Sequence, residues 1–257
     1  MLSPAAIVLL SVIAAVGGFV NSIAGGGGLV TLPALLAAGL PPQIAIGTNK
    51  AQAVFGAFTS VASYWHEESL DRERAALGFA AGFVGSSIGA RVLLTVPLGP
   101  LRAIVMVLLL AAAAFLLAGR NVEPRPRRLS PLVARLALIV IGLVLGAYDG
   151  FFGPGTGSLL VVAFTTVFGD NLTRASGNAK VVNLASNLAA FALFAAHGTI
   201  LWRVAVPMAA ANMVGAATGS HLAVRNGDKL VRGVVLVVVL AVVVKLGFDL
   251  VHAPPAP

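Results

Sequence analysis

Apolar runs separated by short polar breaks fill almost the whole chain. A helix needs about 20 apolar residues to cross the hydrocarbon core of a bilayer, which is about 30 Å thick. Eight runs reach that length, and the pattern therefore predicts eight full-length membrane helices. They cover residues 3–24, 42–65, 75–95, 99–119, 131–152, 172–196, 201–223 and 228–250.

Two further apolar runs, residues 29–39 and 158–168, have only eleven residues each. Such a helix is about 16 Å long, which is too short to span alone with ease. Each run follows a glycine-rich break, at residues 25–28 and 153–157. The pattern predicts two short or discontinuous helices of the kind found in transporters.

The distribution of positive charge tests whether the short segments cross the membrane or double back. If both cross, there are ten segments, and eleven of the 17 lysines and arginines share a side with the basic loop 120–130. If both are re-entrant, there are eight spans and the split is nine to eight. Because cytoplasmic loops carry an excess of positive charge, the ten-segment topology is favoured, with loop 120–130 cytoplasmic and both termini outside.

The chain contains an internal repeat. Both halves have a long helix, a glycine-rich break, a short helix, a turn, and a helix that opens with Ala-x-Gly-x-x-Lys. Gly18, Asn21, Gly25 and Gly27 match Gly146, Asp149, Gly153 and Gly155 at a shift of 128 residues, and Gly47 and Lys50 match Gly177 and Lys180 at a shift of 130. An odd number of segments per half makes the second copy inverted, as in many secondary transporters.

The predicted fold is therefore an all-α polytopic membrane protein of two inverted repeats. Each repeat has about five segments: residues 1–119 form the first, 120–130 the basic linker, and 131–257 the second. Several other glycines recur at a spacing of four, which is typical of close helix packing and needs no functional explanation.

Composition excludes most other classes of protein. Apolar residues make up 58% of the chain and charged residues only 10%, where soluble proteins have about 25%. The formal charge of +8 is scattered between apolar runs with few aromatics, so nucleic acid is not an expected partner. There is no cysteine, and the four histidines lack the spacing of metal ligands. Without a catalytic triad or metal motif, we expect no enzyme activity and no cofactor.

The glycine breaks are candidate anion-binding elements. Each leaves the following short helix with free N–H groups and the positive end of its dipole. The residues assigned to this site are Gly25, Gly26, Gly27 and Gly28 in the first half, and Gly153, Gly155, Thr156 and Gly157 in the second.

Lys50 and Lys180 are the second candidate element. Each lies about eight residues, roughly 12 Å, into its helix, and neither has an acidic neighbour within a turn. One interpretation is that each lysine snorkels to the membrane surface. The other is that both bind a small anion, together with Asn49, Asn178 and Asn183 from the same helices.

Asp149 is the only carboxylate well inside an apolar run, at the position that Asn21 has in the first half. Two roles fit it equally. It can carry a proton and couple transport to it, or it can serve as a structural acceptor that caps the glycine break.

The motifs themselves resemble a known family. The run Gly-Phe-Val-Asn-Ser-Ile-Ala-Gly-Gly-Gly-Gly at residues 18–28, the run Tyr-Asp-Gly-Phe-Phe-Gly-Pro-Gly-Thr-Gly at residues 148–157, and the two lysine motifs resemble the TauE/SafE sulfite exporter family. The resemblance covers nearly the whole chain. It implies a multi-pass protein of the bacterial inner membrane that moves sulfite, organosulfonates or similar sulfur anions.

An inside-negative potential favours outward movement of an anion by about 2.3 kcal/mol per charge per 100 mV, which favours export, but the sequence does not choose between export and import. Import requires coupling to a proton or sodium ion. The second glycine motif, Gly-Pro-Gly-Thr-Gly at residues 153–157, departs from the glycine-rich triplet of the family, which leaves the anion open. The alternatives are an anion channel, a transporter of small carboxylates, and a membrane assembly subunit without transport. Nothing in the sequence indicates an oligomeric state.

Overall fold

A computed structural model describes residues 2–117 and 129–226. Apart from short turns, these residues are helical. The helices are α1 (Pro4–Ala24), α2 (Gly28–Ala37), α3 (Pro42–His66), α4 (Arg72–Thr95), α5 (Leu98–Leu117), α6 (Pro131–Phe151), α7 (Thr156–Ala163), α8 (Leu172–Ala196) and α9 (Trp202–Asn226), and α7 continues into a wider π-helical turn at Phe164–Phe168. The predicted segment 228–250, most of the linker 120–130 and the carboxy terminus lie outside the described residues.

The helices of the described part follow the predicted apolar runs closely, and α2 and α7 occupy the two short runs. By length and composition, four helices of this part are apolar enough to cross a membrane: α1, α4, α6 and α8. Helices α3 and α9 have 25 residues each but are more polar. The described part of the chain is thus all-helical, with four helices apolar enough to span a membrane and two further long helices that are more polar.

Local capping explains where several helices begin. The Ser3 and Ser130 side chains accept hydrogen bonds from the first turns of α1 and α6, and each serine precedes a proline. Helix α4 begins at Arg72, three residues before the predicted run, because the Asp71 carboxylate accepts from the backbone N–H groups of Glu73 and Arg74. These caps satisfy N–H groups that have no partner within the helix.

Helices α4, α6 and α8 run parallel. The position of each contact along α4 rises together with its position along the neighbouring helix. The contacts are Gly85 with Leu143 and Gly89 with Ala147 between α4 and α6, and Gly82 with Val182 and Ser86 with Ser186 between α4 and α8. Because α6 and α8 have the same direction, the chain between them must reverse along α7.

Helices α1, α3 and α9 form a second parallel set. Contacts again advance in step along each pair. Between α1 and α9 they are Gly215 with Ala15 and Gly219 with Phe19. Gly56 of α3 contacts Asn212 of α9, and Gly47 of α3 contacts Thr199, which lies in the turn before α9. Since α1 and α3 point the same way, the chain reverses along α2 as it does along α7.

The two halves are packed into each other. Helix α9 of the second half packs on α1 and α3, helix α4 of the first half packs on α6 and α8, and α3 packs on α8. The glycine breaks meet where the halves cross: Gly25, with φ +77°, lies against the backbone of Gly157. This crossing positions the site described next.

Candidate functional site

A cavity lies between the two halves, bordered by α1, α2, α3, α6, α7, α8 and α9. Nine of the site residues predicted from the sequence line this cavity, namely Gly25, Gly27, Gly28, Asn49, Lys50, Asp149, Gly153, Gly157 and Asn183. Five other predicted site residues do not line it, namely Gly26, Gly155, Thr156, Asn178 and Lys180. The sequence-based site is therefore brought together only in part.

Lys50 forms a buried ion pair with Asp149. Its Nζ donates to Asp149 Oδ1 at 2.7 Å and to Asn187 Oδ1 at 3.1 Å. Both members of the pair have side chains only 2% exposed. The snorkelling interpretation is wrong for Lys50, and so is the expectation that it has no acidic partner, since the carboxylate comes from another helix 99 residues away.

Asp149 is held by side chains from α3 and α8. Beside Lys50, its Oδ2 accepts from Asn183 Nδ2 at 3.2 Å and from the Ser186 hydroxyl. These donors lie on α3 and α8 rather than in the glycine break, so the structure favours an ion-pair role over the expected capping role. Sequence reasoning missed Ser186, which has no counterpart in the glycine and lysine motifs.

Lys180 is buried without a partner. The residue is 0% exposed, and no atom of the described residues forms a hydrogen bond with its Nζ. Snorkelling is therefore wrong for Lys180 as well. The charge of Asp149 acts on it, although Lys180 does not line the cavity itself. An ammonium in this state costs free energy unless something neutralises it.

The glycine breaks have the left-handed backbone that glycine permits, with φ +100° at Gly153 and +85° at Gly155. Hydrogen bonds from the two flanking helices hold the second break. The Thr156 hydroxyl of α7 donates to Gly153 O at 2.7 Å, and the Tyr148 hydroxyl of α6 donates to Pro154 O at 2.9 Å. Thr156 thus stabilises the break and does not point its hydroxyl proton into the cavity.

Helix α2 contributes its first turn to the cavity, through Gly27, Gly28 and Thr31. Thr31 belongs to a small polar network that sequence reasoning missed. Its hydroxyl lies 2.6 Å from Asn49 Oδ1, to which Gln52 Nε2 also donates, at 3.0 Å. Asn49 and Gln52 are three residues apart and therefore share one face of α3. Two polar residues at this spacing in a long helix could have indicated a polar face from the sequence.

Asn178 belongs to a different cluster, near the start of α8. Its Nδ2 donates to Asp170 Oδ2 at 2.7 Å, and its Oδ1 accepts from Asp71 N at 2.7 Å. Arg74 and Arg174 join the same carboxylates: Arg74 Nη1 lies 3.3 Å from Asp170, and Arg174 Nη2 lies 3.1 Å from Asp71. This ionic cluster connects the α3–α4 turn to the start of α8.

Comparison with known proteins identifies the family. The family model described as sulfite exporter TauE/SafE matches residues 10–246. The chain is 37% identical to a "Probable membrane transporter protein" of Haemophilus influenzae over 94% of this chain and 95% of that protein. It is 38% identical to the "Probable membrane transporter protein YfcA" of Escherichia coli K12, over 97% and 92% of the two chains.

A more distant relative is the "Probable membrane transporter protein YjnA" of Bacillus subtilis, which is 24% identical over 90% of this chain and 95% of that protein. No solved structure matches the chain. The family match spans both glycine breaks and both lysine helices. The chain therefore belongs to the sulfite exporter TauE/SafE family of membrane transporters.

Proposed function

We propose that this protein is a secondary transporter that exports small sulfur-containing anions, such as sulfite or organosulfonates, across the bacterial inner membrane by alternating access. The observation that carries the proposal is the excess of buried positive charge between the halves. Lys50 and Lys180 are 1% and 0% exposed, and Asp149 neutralises only one of them. A small anion supplies the missing negative charge.

The cavity fits such a ligand in its chemistry. Besides the ion pair, its wall offers side-chain amides from Asn21, Asn49 and Asn212. Such amides donate N–H groups to oxyanions without adding net charge. The first turn of α2 also borders the cavity, but its Leu29 N and Val30 N already donate to Gly26 O and Gly27 O. The lining comes from both halves, which is the position that alternating access requires of a substrate site.

Two inverted repeats and ten membrane segments are part of the proposal. The reversals along α2 and α7 support it. Two long helices with the same direction can both cross the membrane only if the short helix between them crosses it in the opposite direction. The ion pair between Arg74 and Asp170 gives further support. Arg74 lies at the start of α4 and Asp170 lies just before α8. If α4, α5 and α6 each cross the membrane once, these two residues are on the same membrane face only when α7 crosses as well.

Ligand stabilisation of the purified protein tests the proposal. We expect sulfite or a sulfonate, at 100 times its dissociation constant, to stabilise the protein by about 2.7 kcal/mol in a thermal-shift measurement. Acetate and sulfate serve as comparison anions, and a small-carboxylate transporter would respond to acetate instead. Lys180→Met is the matched control, and it should lose most of the shift. A protein that no anion stabilises would contradict the proposed anion site.

An anion channel is the second candidate, since the same lining suits both. Counterflow in proteoliposomes separates the two. A carrier loaded with unlabelled sulfite inside accelerates uptake of labelled sulfite, and its flux saturates. A channel shows neither effect. If labelled sulfite moves neither into nor out of the proteoliposomes, an assembly subunit without transport is favoured.

A further inference from the structure

The ion pair between Lys50 and Asp149 raises a question for any anion that binds beside it. Asp149 Oδ1 already lies 2.7 Å from Lys50 Nζ, and Asn187 accepts a second bond from the same ammonium. Two of the three protons on Nζ are therefore engaged. An anion that approaches Lys50 must displace this carboxylate or lie beside it.

Two negative charges around one cation are unfavourable in a low-dielectric interior, where like charges a few ångströms apart repel strongly. Protonation of the carboxylate removes this repulsion. A neutral carboxyl at Asp149 can still accept from Asn183 and Ser186, which hold its second oxygen. The neighbouring side chains are thus compatible with both protonation states.

We propose, on the basis of the anion transport proposed above, that Asp149 binds one proton when an anion binds in the cavity beside Lys50, so that anion and proton cross the membrane together. The anion takes the place of the carboxylate as the partner of Lys50. The proton that Asp149 receives comes from the solution on the side to which the cavity is open.

Few other charged groups face Asp149 among the described residues. Lys50 reaches it from α3, and Lys180 is the charged residue whose field acts on it from α8. Helix α4 faces α6 with glycines and Ser86, and α7 carries no charged residue. Tyr148, beside Asp149 on α6, donates to Pro154 O and is already engaged.

The net charge that moves with the anion decides whether the membrane potential drives its transport. With all three groups ionised, Lys50, Lys180 and Asp149 together carry a net charge of one positive unit. Adding a monovalent anion and one proton leaves that net charge unchanged. Transport of the pair is therefore electroneutral, and the membrane potential neither drives nor opposes it. An anion produced in the cell then leaves when its own gradient exceeds the opposing pH gradient.

Calorimetry with ethanesulfonate tests the proton uptake, because this anion keeps its charge between pH 5 and 8 and adds no protonation of its own. Titrations in two buffers of different ionisation enthalpy count the protons taken up. We expect about one proton per anion bound, and an affinity that falls about tenfold for each unit rise in pH wherever one proton is taken up with the anion.

Asp149→Asn should abolish both the uptake and the pH dependence, while Asp149→Glu should keep them because it retains a carboxylate. If Asp149→Asn takes up as many protons as the wild type, another group such as Lys180 is the acceptor and the proposal is wrong. Should the variant not fold, the wild-type proton count alone decides, since no uptake overturns the proposal. If the wild type binds no anion at any pH, the anion site itself fails, and the coupling with it.

Flux in proteoliposomes gives an independent readout. A potassium–valinomycin potential should leave ethanesulfonate flux through the wild type nearly unchanged, whereas a pH gradient should drive it. Asp149→Asn carries the anion without a proton, so its flux should become sensitive to the potential. Wild-type flux that follows the potential and ignores the pH gradient would overturn electroneutral coupling while leaving anion transport intact.

Discussion

Lys50 and Lys180 lie at matching positions of the two halves, each three residues after a glycine that packs closely on a turn of the other half. Both are fully buried, yet within residues 2–117 and 129–226 only Lys50 has a counter-ion. The difference arises because the partner of Lys50 is Asp149, and the first-half residue that matches Asp149 is Asn21. The two halves thus differ in the charge at this matching position, and under the proposed function Lys180 is the cation that a bound anion neutralises.

The turns that face these glycines show the same relation. Asn178 Oδ1 accepts from Asp71 N at 2.7 Å, and the matching Thr48 Oγ1 accepts from Leu201 N at 3.0 Å. The first bond is surrounded by the ionic cluster and the second by apolar residues. Equivalent backbone contacts therefore survive in both halves, whereas the charges around them do not.

Removal of the counter-ion of Lys50 should have the largest effect. Asp149→Leu leaves a buried ammonium without a counter-charge, and we expect a loss of about 3–5 kcal/mol in stability. Thermal or denaturant unfolding in detergent measures it. Adding Lys50→Met to the same chain should recover most of the loss, because the pair is then replaced by apolar side chains. A single variant as stable as the wild type would show that Lys50 is not charged in the folded protein.

A smaller loss is expected from Gly153→Ala. The added Cβ would lie 2.8 Å from Lys50 Nζ and 3.0 Å from Asp149 Oδ1, at a φ of +100°. We expect a cost of about 2–3 kcal/mol, together with weaker anion binding. Gly39→Ala is the control, since Gly39 has a φ of +86° and nothing within 4 Å. It should cost about 1 kcal/mol from backbone strain alone and leave affinity unchanged. Equal losses in the two variants would remove the contact with the ion pair as a cause.

Lys180→Met should stabilise the protein by about 1–2 kcal/mol, because it removes an unpartnered buried ammonium and keeps a similar apolar volume. The same substitution should weaken anion binding, and Lys180→Glu should weaken it further by direct repulsion. Arg91→Met, at an exposed position, controls for the loss of one positive charge and should change neither quantity. Unchanged affinity in both Lys180 variants would exclude this lysine from the site.

The smallest effect is expected from Asn21→Asp, which gives the first half the carboxylate that it lacks. We expect a gain in stability below about 1 kcal/mol, since Asn21 is only partly buried. Anion affinity should fall, because Lys180 gains an internal partner. In the Lys180→Met background the gain should disappear. A gain that persists there would mean that residue 21 acts on something other than Lys180.

Much of this protein could be predicted from the sequence because the signals are local. The bounds of α6 and α8 agree with the apolar runs within a residue, and the glycine breaks at 25–28 and 153–157 follow the ends of α1 and α6. The repeat was visible because the same glycines and lysines return at a fixed shift. Each of these features depends on residues that are neighbours along the chain.

What the sequence could not give is which residues meet. It counted Asn178 with the lysines, but its side chain turns to Asp170 and Asp71 instead. It described Lys50 as unpaired, whereas the partner lies 99 residues away on α6. It left the direction of α2 and α7 to a count of charges, and the contacts of α4 with α6 and α8 decided the reversal along α7.

The sequence by itself determined the apolar helices, the breaks and the placement of two lysines within long helices, because hydrophobicity and backbone conformation are properties of short segments. Only the tertiary structure decided that one lysine is neutralised and the other is not. An ion pair forms where helix packing brings two charges within about 3 Å, and that distance depends on contacts between α3, α6 and α8 that leave no periodic signal in the chain.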